Sequence, residues 1–210
     1  MRNMEILGYG EDALTIWAIK NRLTSILQTL KDSSTIPMCK VFFRPSFGRS
    51  GGENSSQFGE FDFIILSGQF LYLGESKWDR SSEQIRDGVL QLRSEQILRH
   101  DLFRFYVEEW GFGNYKSWSD FEREGKMKLE EKGIMKPLAP SGSLLASNLE
   151  TVLRVIRKHY IAIPCIHNIL LYLHCKTDVN LLPRKAGKDF TVIAIDYSED
   201  SFDNFINLKL

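Results

Sequence analysis

Two short runs of β-forming, mostly apolar residues lie close together in the chain. They are Glu60 to Leu66 (EFDFIIL) and Phe70 to Lys77 (FLYLGESK), separated by Ser67-Gly68-Gln69. Two such runs bounded by Ser and Gly predict a β-hairpin. The flanking Phe61, Phe63, Ile64, Ile65, Leu66, Leu71 and Leu73 imply a buried strand pair. The constraint on the chain is that Glu60, Asp62, Glu75 and Lys77 interrupt this apolar text.

Side chains alternate between the two faces of a strand. Glu60, Asp62, Ile64 and Leu66 therefore share one face, and Leu71, Leu73, Glu75 and Lys77 share a face of the second strand. A two-residue turn at Ser67-Gly68 pairs Leu66 with Gln69, Asp62 with Leu73 and Glu60 with Glu75. All three acids and Lys77 then emerge on one face, near one end. Opposed like charges destabilise a sheet pair. An ion-paired rim at a strand end is the ordinary reading of acids beside a lysine, but buried apolar flanks make that arrangement costly. A divalent cation relieves the repulsion, and carboxylate oxygens suit Mg²⁺ or Mn²⁺. Such an ion polarises a phosphate and activates water, while Lys77 orients the attacking water or offsets charge building on the phosphate.

The remaining text supplies the frame. Glu11 to Leu30 has helical apolar spacing and ends at Asp32-Ser33-Ser34. Met38 to Arg44 reads as a strand closed by Pro45, followed by a Gly/Ser-rich loop from Ser46 to Gly59. Ser81 to Trp110 reads as one long helix capped at Ser81 or Ser82, and Asp120 to Lys132 as a short solvated helix. Met135 to Ser143 is a connector, Ser143 to His159 a third helix, and Asn168 to His174 and Phe190 to Ile195 further strands around a basic turn, Arg184 to Lys188. The expected fold is one α/β domain over 1–210, a mixed sheet flanked by helices, with an insertion around 111–142.

Hydrophobic residues at 43% and charged residues at 26% are ordinary for a soluble globular chain. Equal counts of 27 basic and 27 acidic residues exclude a protein coated in positive charge, though not a local basic groove. No apolar stretch reaches the about 20 residues of a membrane span, and the N-terminal residues show no signal-peptide pattern. Cys39, Cys165 and Cys175 have no CxxC spacing, which predicts reduced, buried thiols in a cytoplasmic protein. His159, His167 and His174 fall near two of these cysteines, but none has zinc-finger or ribbon spacing, and core packing explains them more simply. Phosphate-loop, dinucleotide-binding and G-x-S-x-G motifs are absent from the sequence.

Gly59-Glu60-Phe61-Asp62 followed by Gly74-Glu75-Ser76-Lys77 resembles the PD-(D/E)xK nuclease superfamily, whose core has the element order αβββαβ. The resemblance covers roughly Glu11 to Gln91. It implies Asp62 and Glu75 as metal ligands, the Ser76 carbonyl as a further ligand, and Lys77 as the catalytic lysine. Phe61 stands where the family often has Pro, and Ser76 where an apolar residue is commoner. Members often place a Glu on the first helix, which Glu11 matches with Asp12 as competitor. Glu60 is a further carboxylate candidate. Some members carry a Gln on the helix after the second motif strand, for which Gln84 and Gln91 stand. Arg44, Arg49, Arg80 and Gln91 are candidate nucleic-acid contacts, as are Arg86, Arg93 and Arg104 on one expected helical face. The implied function is Mg²⁺- or Mn²⁺-dependent hydrolysis of DNA, with RNA left open, in restriction, defence or repair. Cutting both strands of a duplex calls for a homodimer. The alternative is an inactive nuclease-fold module that binds nucleic acid or a protein.

Overall fold

The computed structural model describes residues 5–47, 59–134, 136–202 and 205–208. The chain divides into two compact units, one of Met1–Phe43, Asp62–Leu92 and His167–Leu210, the other of Arg44–Phe61 and Arg93–Ile166. The stretch around 111–142 falls inside the second.

In chain order the first unit begins with β1 (Leu7–Tyr9), α1 (Gly10–Thr29), β2 (Lys40–Phe43), β3 (Phe63–Leu66), β4 (Phe70–Trp78), β5 (Ile85–Arg86) and β6 (Val89–Leu90). The second unit contributes α2 (Ser94–Phe105), α3 (Trp118–Glu131) and α4 (Leu144–His159). The chain then returns through β7 (Cys165–His174), β8 (Lys185–Ala186), β9 (Phe190–Asp196), β10 (Ser201–Phe202) and β11 (Phe205–Asn207). Among the described residues the strands form two sheets, ordered β2-β3-β4-β7-β9-β8-β6-β5 and β1-β11-β10. The larger sheet is mixed: β2, β3 and β4 form an antiparallel meander, while β7 and β9 run parallel.

The expected helix at Glu11 to Leu30 is α1. Leu14, Trp17, Ala18, Leu23, Ile26 and Leu27 bury its apolar stripe against Phe63, Ile65 and Tyr72 of the hairpin and Ile169, Leu171 and Leu173 of β7. Each fully buried aliphatic side chain contributes roughly 1.5–3 kcal/mol, so this stripe fixes the helix on one sheet face. The opposite faces of β3 and β4 are also dry: Ile64, Leu66, Leu71 and Leu73 have no exposed surface. Beyond α1, Lys31 takes a φ of 58°, and the Asp32 carboxylate accepts from Ser34 N at 2.8 Å and from the Tyr72 hydroxyl at 2.9 Å. That buried pair ties the end of α1 to β4.

The hairpin register differs from the expected one. Leu66 pairs with Leu71, Ile64 with Leu73 and Phe63 with Gly74. The turn is Gly68-Gln69, closed by Ser67 N donating to Phe70 O at 3.0 Å. The slip is two residues, so every side chain keeps its face, but the acids change neighbours.

The long helix expected over Ser81 to Trp110 is also corrected. Asp87 and Gly88 have φ of 52° and 73°, the backbone of a two-residue hairpin turn, and they join β5 to β6. The Asp-Gly dipeptide is the signal that the helical spacing obscured. The helix begins only at Ser94, where Gln96 Oε1 accepts from Arg93 N at 3.1 Å.

In the second unit, α4 matches its expected span, capped by the Ser143 hydroxyl accepting from Ala146 N at 3.1 Å. The segment expected to be a solvated helix is α3, and it is anchored by buried Trp118, Phe121 and Leu129. The Trp118 indole donates to Ala139 O at 2.7 Å.

Candidate functional site

All the principal candidates of the first unit meet at the end of the β3–β4 hairpin. Gly74 opposes Phe63, and the Phe63 ring fills the space a Cβ at Gly74 would occupy. Only glycine lets the two strands keep this register. The next residues along the two strands are Asp62 and Glu75. Asp62 Oδ2 accepts from the backbone N–H of Ser76 at 2.7 Å. The Glu75 side chain is almost wholly enclosed, at 1% exposure. Burial, reinforced by the charge of Glu75, pushes the Asp62 carboxyl up to about 7, although the Ser76 N–H and the Lys77 ammonium oppose the rise. The Glu75 carboxylate thus opposes ionisation of Asp62.

Lys77 is buried as well, at 5% exposure. Its ammonium lies 3.2 Å from Glu11 Oε1 and 3.7 Å from Glu83 Oε1. Burial alone would favour the neutral amine. Glu11, Asp62 and Glu83 together outweigh it and raise the affinity of Lys77 for its proton. Glu11 in turn holds its own proton more readily than an ordinary glutamate, mainly because it is buried, with Lys77 acting against that.

Ser76 explains how α1 presents Glu11. Its hydroxyl hydrogen-bonds the Thr15 hydroxyl at 2.7 Å, and Thr15 Oγ1 lies 2.6 Å from the Glu11 carbonyl oxygen. Residues four apart share a helix face. Pinning Thr15 to β4 therefore turns Glu11, one turn earlier, toward Lys77. The hydroxyl between Glu75 and Lys77 sets the rotation of the helix. Asp12 is exposed.

The other candidates are placed as follows. Glu60 belongs to the second unit, where Arg44 Nη2 holds its carboxylate at 2.7 Å. The expected pairing of Glu60 with Glu75 is replaced by the Gly68-Gln69 turn, and the third carboxylate near the hairpin acids comes from Glu11. Arg49 lies outside the described residues. Arg80 is exposed beside the site, its guanidinium 6.0 Å from the Trp78 ring centroid. Gln84 and Gln91 flank the β5–β6 hairpin instead of riding on a helix, and both are exposed. Glu83 and Thr15 were missed as site residues. Glu83 lies in the stretch whose spacing suggests a helix, where β5 and β6 form instead, and no local pattern marks Thr15.

The oxygen donors available to a cation are Asp62, Glu75 and the Ser76 carbonyl. No group of three or more His, Cys, Asp or Glu side chains poised for a metal exists among the described residues, and the Glu11 carboxylate is engaged with Lys77 at 3.2 Å. The cysteines are free, and Cys165 and Cys175 are exposed, which corrects the expectation of buried thiols. They stand at opposite ends of β7, about 30 Å apart at strand rise, so they cannot share an ion. His167 packs on Phe70 at 5.1 Å and His174 stacks on Tyr172 at 6.4 Å. No helix among the described residues is long and apolar enough to cross a membrane.

No protein-family profile matches the chain, and no curated protein and no solved structure matches it.

Proposed function

We propose that this chain is a divalent-metal-dependent nuclease of the PD-(D/E)xK type, acting on DNA. One observation carries the reading. Half-buried Asp62 and buried Glu75 are close neighbours at a strand end, where desolvation and the charge of Glu75 push the Asp62 carboxyl up to about 7, with the buried cation of Lys77 alongside. A structural ion pair needs one acid for one base. A second buried carboxylate raises the cost of the arrangement and calls for more positive charge.

The donor set is hard oxygen, and Mg²⁺ or Mn²⁺ commonly takes one or two carboxylates and fills its shell with water and substrate phosphate. A cation held by Asp62, Glu75 and the Ser76 carbonyl would supply polarisation of the scissile phosphate and a more acidic water. The chain's own groups supply the rest. The Lys77 ammonium, fixed between Glu11 and Glu83, orients a water or steadies charge on a phosphate oxygen. The bond from Ser76 N–H to Asp62 fixes that carboxylate, so little reorganisation is left for the reaction.

The test is cleavage of labelled single- and double-stranded DNA in Mg²⁺ or Mn²⁺, alongside calorimetric titration of the metal. Lys77→Ala is expected to bind metal but to lose cleavage. A Lys77→Ala protein that cuts as fast as the parent removes the mechanism. DNA binding without metal binding or cleavage identifies the alternative, an inactive nuclease-fold module.

A further inference from the structure

The small sheet β1-β11-β10 has two unlike faces. Gly8 faces inward, since a Cβ there would come within 2.5 Å of Ala13 Cβ on α1, and Ile206 is buried in the same core. The alternating residues therefore face out, and several are aromatic. Tyr9 is 60% exposed, Phe205 42% and Phe202 69%. Tyr9 pairs directly with Phe205, and Phe202 also lies across from Phe205. Tyr9 makes an edge contact with the half-buried Trp78 at 5.8 Å and lies 5.8 Å from the Phe205 ring.

This face is continuous with the carboxylate–lysine site through the chain itself. Tyr9 is two residues before Glu11, whose carboxylate accepts from the Trp78 backbone N–H, while the Trp78 ring leaves β4 on the face opposite Lys77. At the same end, the guanidinium of Arg80 lies over Trp78. The other end of the small sheet is acidic, with Glu5, Glu199 and Asp200 lining a cavity of about 420 Å³ there. That end repels a polyanion, whereas the Arg80 guanidinium offers a phosphate a counter-charge. Rings set at 56° and 87° to one another beside a guanidinium match the way single strands are held, by stacking of splayed bases on separate rings and neutralisation of phosphate.

We propose that Tyr9, Phe205 and Trp78, with Arg80, form a stacking platform for the unpaired bases of a DNA strand leading into the Asp62–Glu75–Lys77 site. The choice of DNA rests on the nuclease reading above. A continuous duplex hides its base faces, so the platform favours single strands, frayed ends and overhangs.

The experiment uses the full chain in EDTA, where no cleavage occurs. Fluorescence anisotropy reads its affinity for a labelled oligo-dT of about a dozen nucleotides and for a blunt duplex. Wild type is expected to prefer the single strand. Tyr9→Leu and Phe205→Leu, which keep apolar bulk but remove the ring, are each expected to weaken oligo-dT binding roughly tenfold and to leave duplex binding little changed. Tyr9→Phe should restore it, which separates stacking from loosened packing. Circular dichroism checks that each variant is folded. Variants that bind oligo-dT as tightly as wild type overturn the platform, as does a wild type that binds no single strand. Sedimentation showing a dimer that these substitutions split also overturns it, by assigning the face to a second copy of the chain. The nuclease reading fails separately: ring-dependent binding with no cleavage in Mg²⁺ or Mn²⁺ keeps the platform and removes the enzyme.

Discussion

Glu60 and Asp62 are two residues apart and have opposite fates. Glu60 is exposed, accepts from Arg44 at 2.7 Å, and is held more acidic than usual by that hydrogen bond. Asp62 is half-buried next to Glu75 and is pushed up to about 7. The first is a satisfied surface ion pair of the kind that contributes about 0–1 kcal/mol. The second is a charge cluster that the fold tolerates at a cost. Glu60 stands beside a cation at the surface, whereas Asp62 is pressed against a second carboxylate. The contrast gives Asp62, and not Glu60, the functional weight.

The largest expected effect is on cleavage. Asp62→Asn and Glu75→Gln should each lower the single-turnover rate in Mg²⁺ by roughly a thousandfold or more, while Glu60→Gln stays within a fewfold of wild type. Equal losses at Glu60 and Asp62 would erase the distinction.

The pH dependence of stability sharpens it without any activity. In the fold Asp62 holds its proton up to about 7, against an ordinary value of 3.8. The folded state therefore binds this proton more tightly than the unfolded state does. The resulting stabilisation is complete below about 4 and is lost as pH rises through about 7, amounting to at most about 4 kcal/mol. In EDTA, thermal unfolding of wild type relative to Asp62→Asn should lose ground between about pH 4 and pH 7. A constant difference between the two proteins breaks the argument for a strained carboxylate. Glu60 has the reverse sign and a smaller size: its contribution is present above its ordinary range and fades in acid.

Cation binding comes next. Mn²⁺ at about a hundred times its dissociation constant stabilises by about 2.7 kcal/mol, or very roughly 5–10 °C for a chain of this length. Wild type and Glu60→Gln should show this shift in differential scanning fluorimetry, and Asp62→Asn should not. The smallest effect belongs to the surface pair. Arg44→Ala should cost under about 1 kcal/mol in urea unfolding, and less in high salt.

Several features were legible because they are local. Helical spacing marked α1, Ser143 marked the start of α4, and Ser and Gly bounded the hairpin. The β5–β6 turn was equally local, written as Asp87-Gly88, but the apolar spacing around it suits a helix as well as two short strands. The association of Glu83 with Lys77 follows from that turn, so it was lost with it. Thr15 was not legible at all, because its importance comes from Ser76, which is 61 residues away.

Strand parity was settled by the sequence itself. Side chains alternate with period two along each strand, so Asp62 shares a face with Ile64 and Glu75 with Lys77, and any two-residue turn between the strands puts Asp62, Glu75 and Lys77 on one face. Tertiary structure decided which acids become neighbours. The Gly68-Gln69 turn and the Phe63 ring over Gly74 shift the register by two residues, a slip that parity cannot detect. It brings Asp62, in place of Glu60, next to Glu75. The docking of α1 through Thr15 and Ser76 then adds Glu11, because distance along the chain says nothing about which buried groups a packed core presses together.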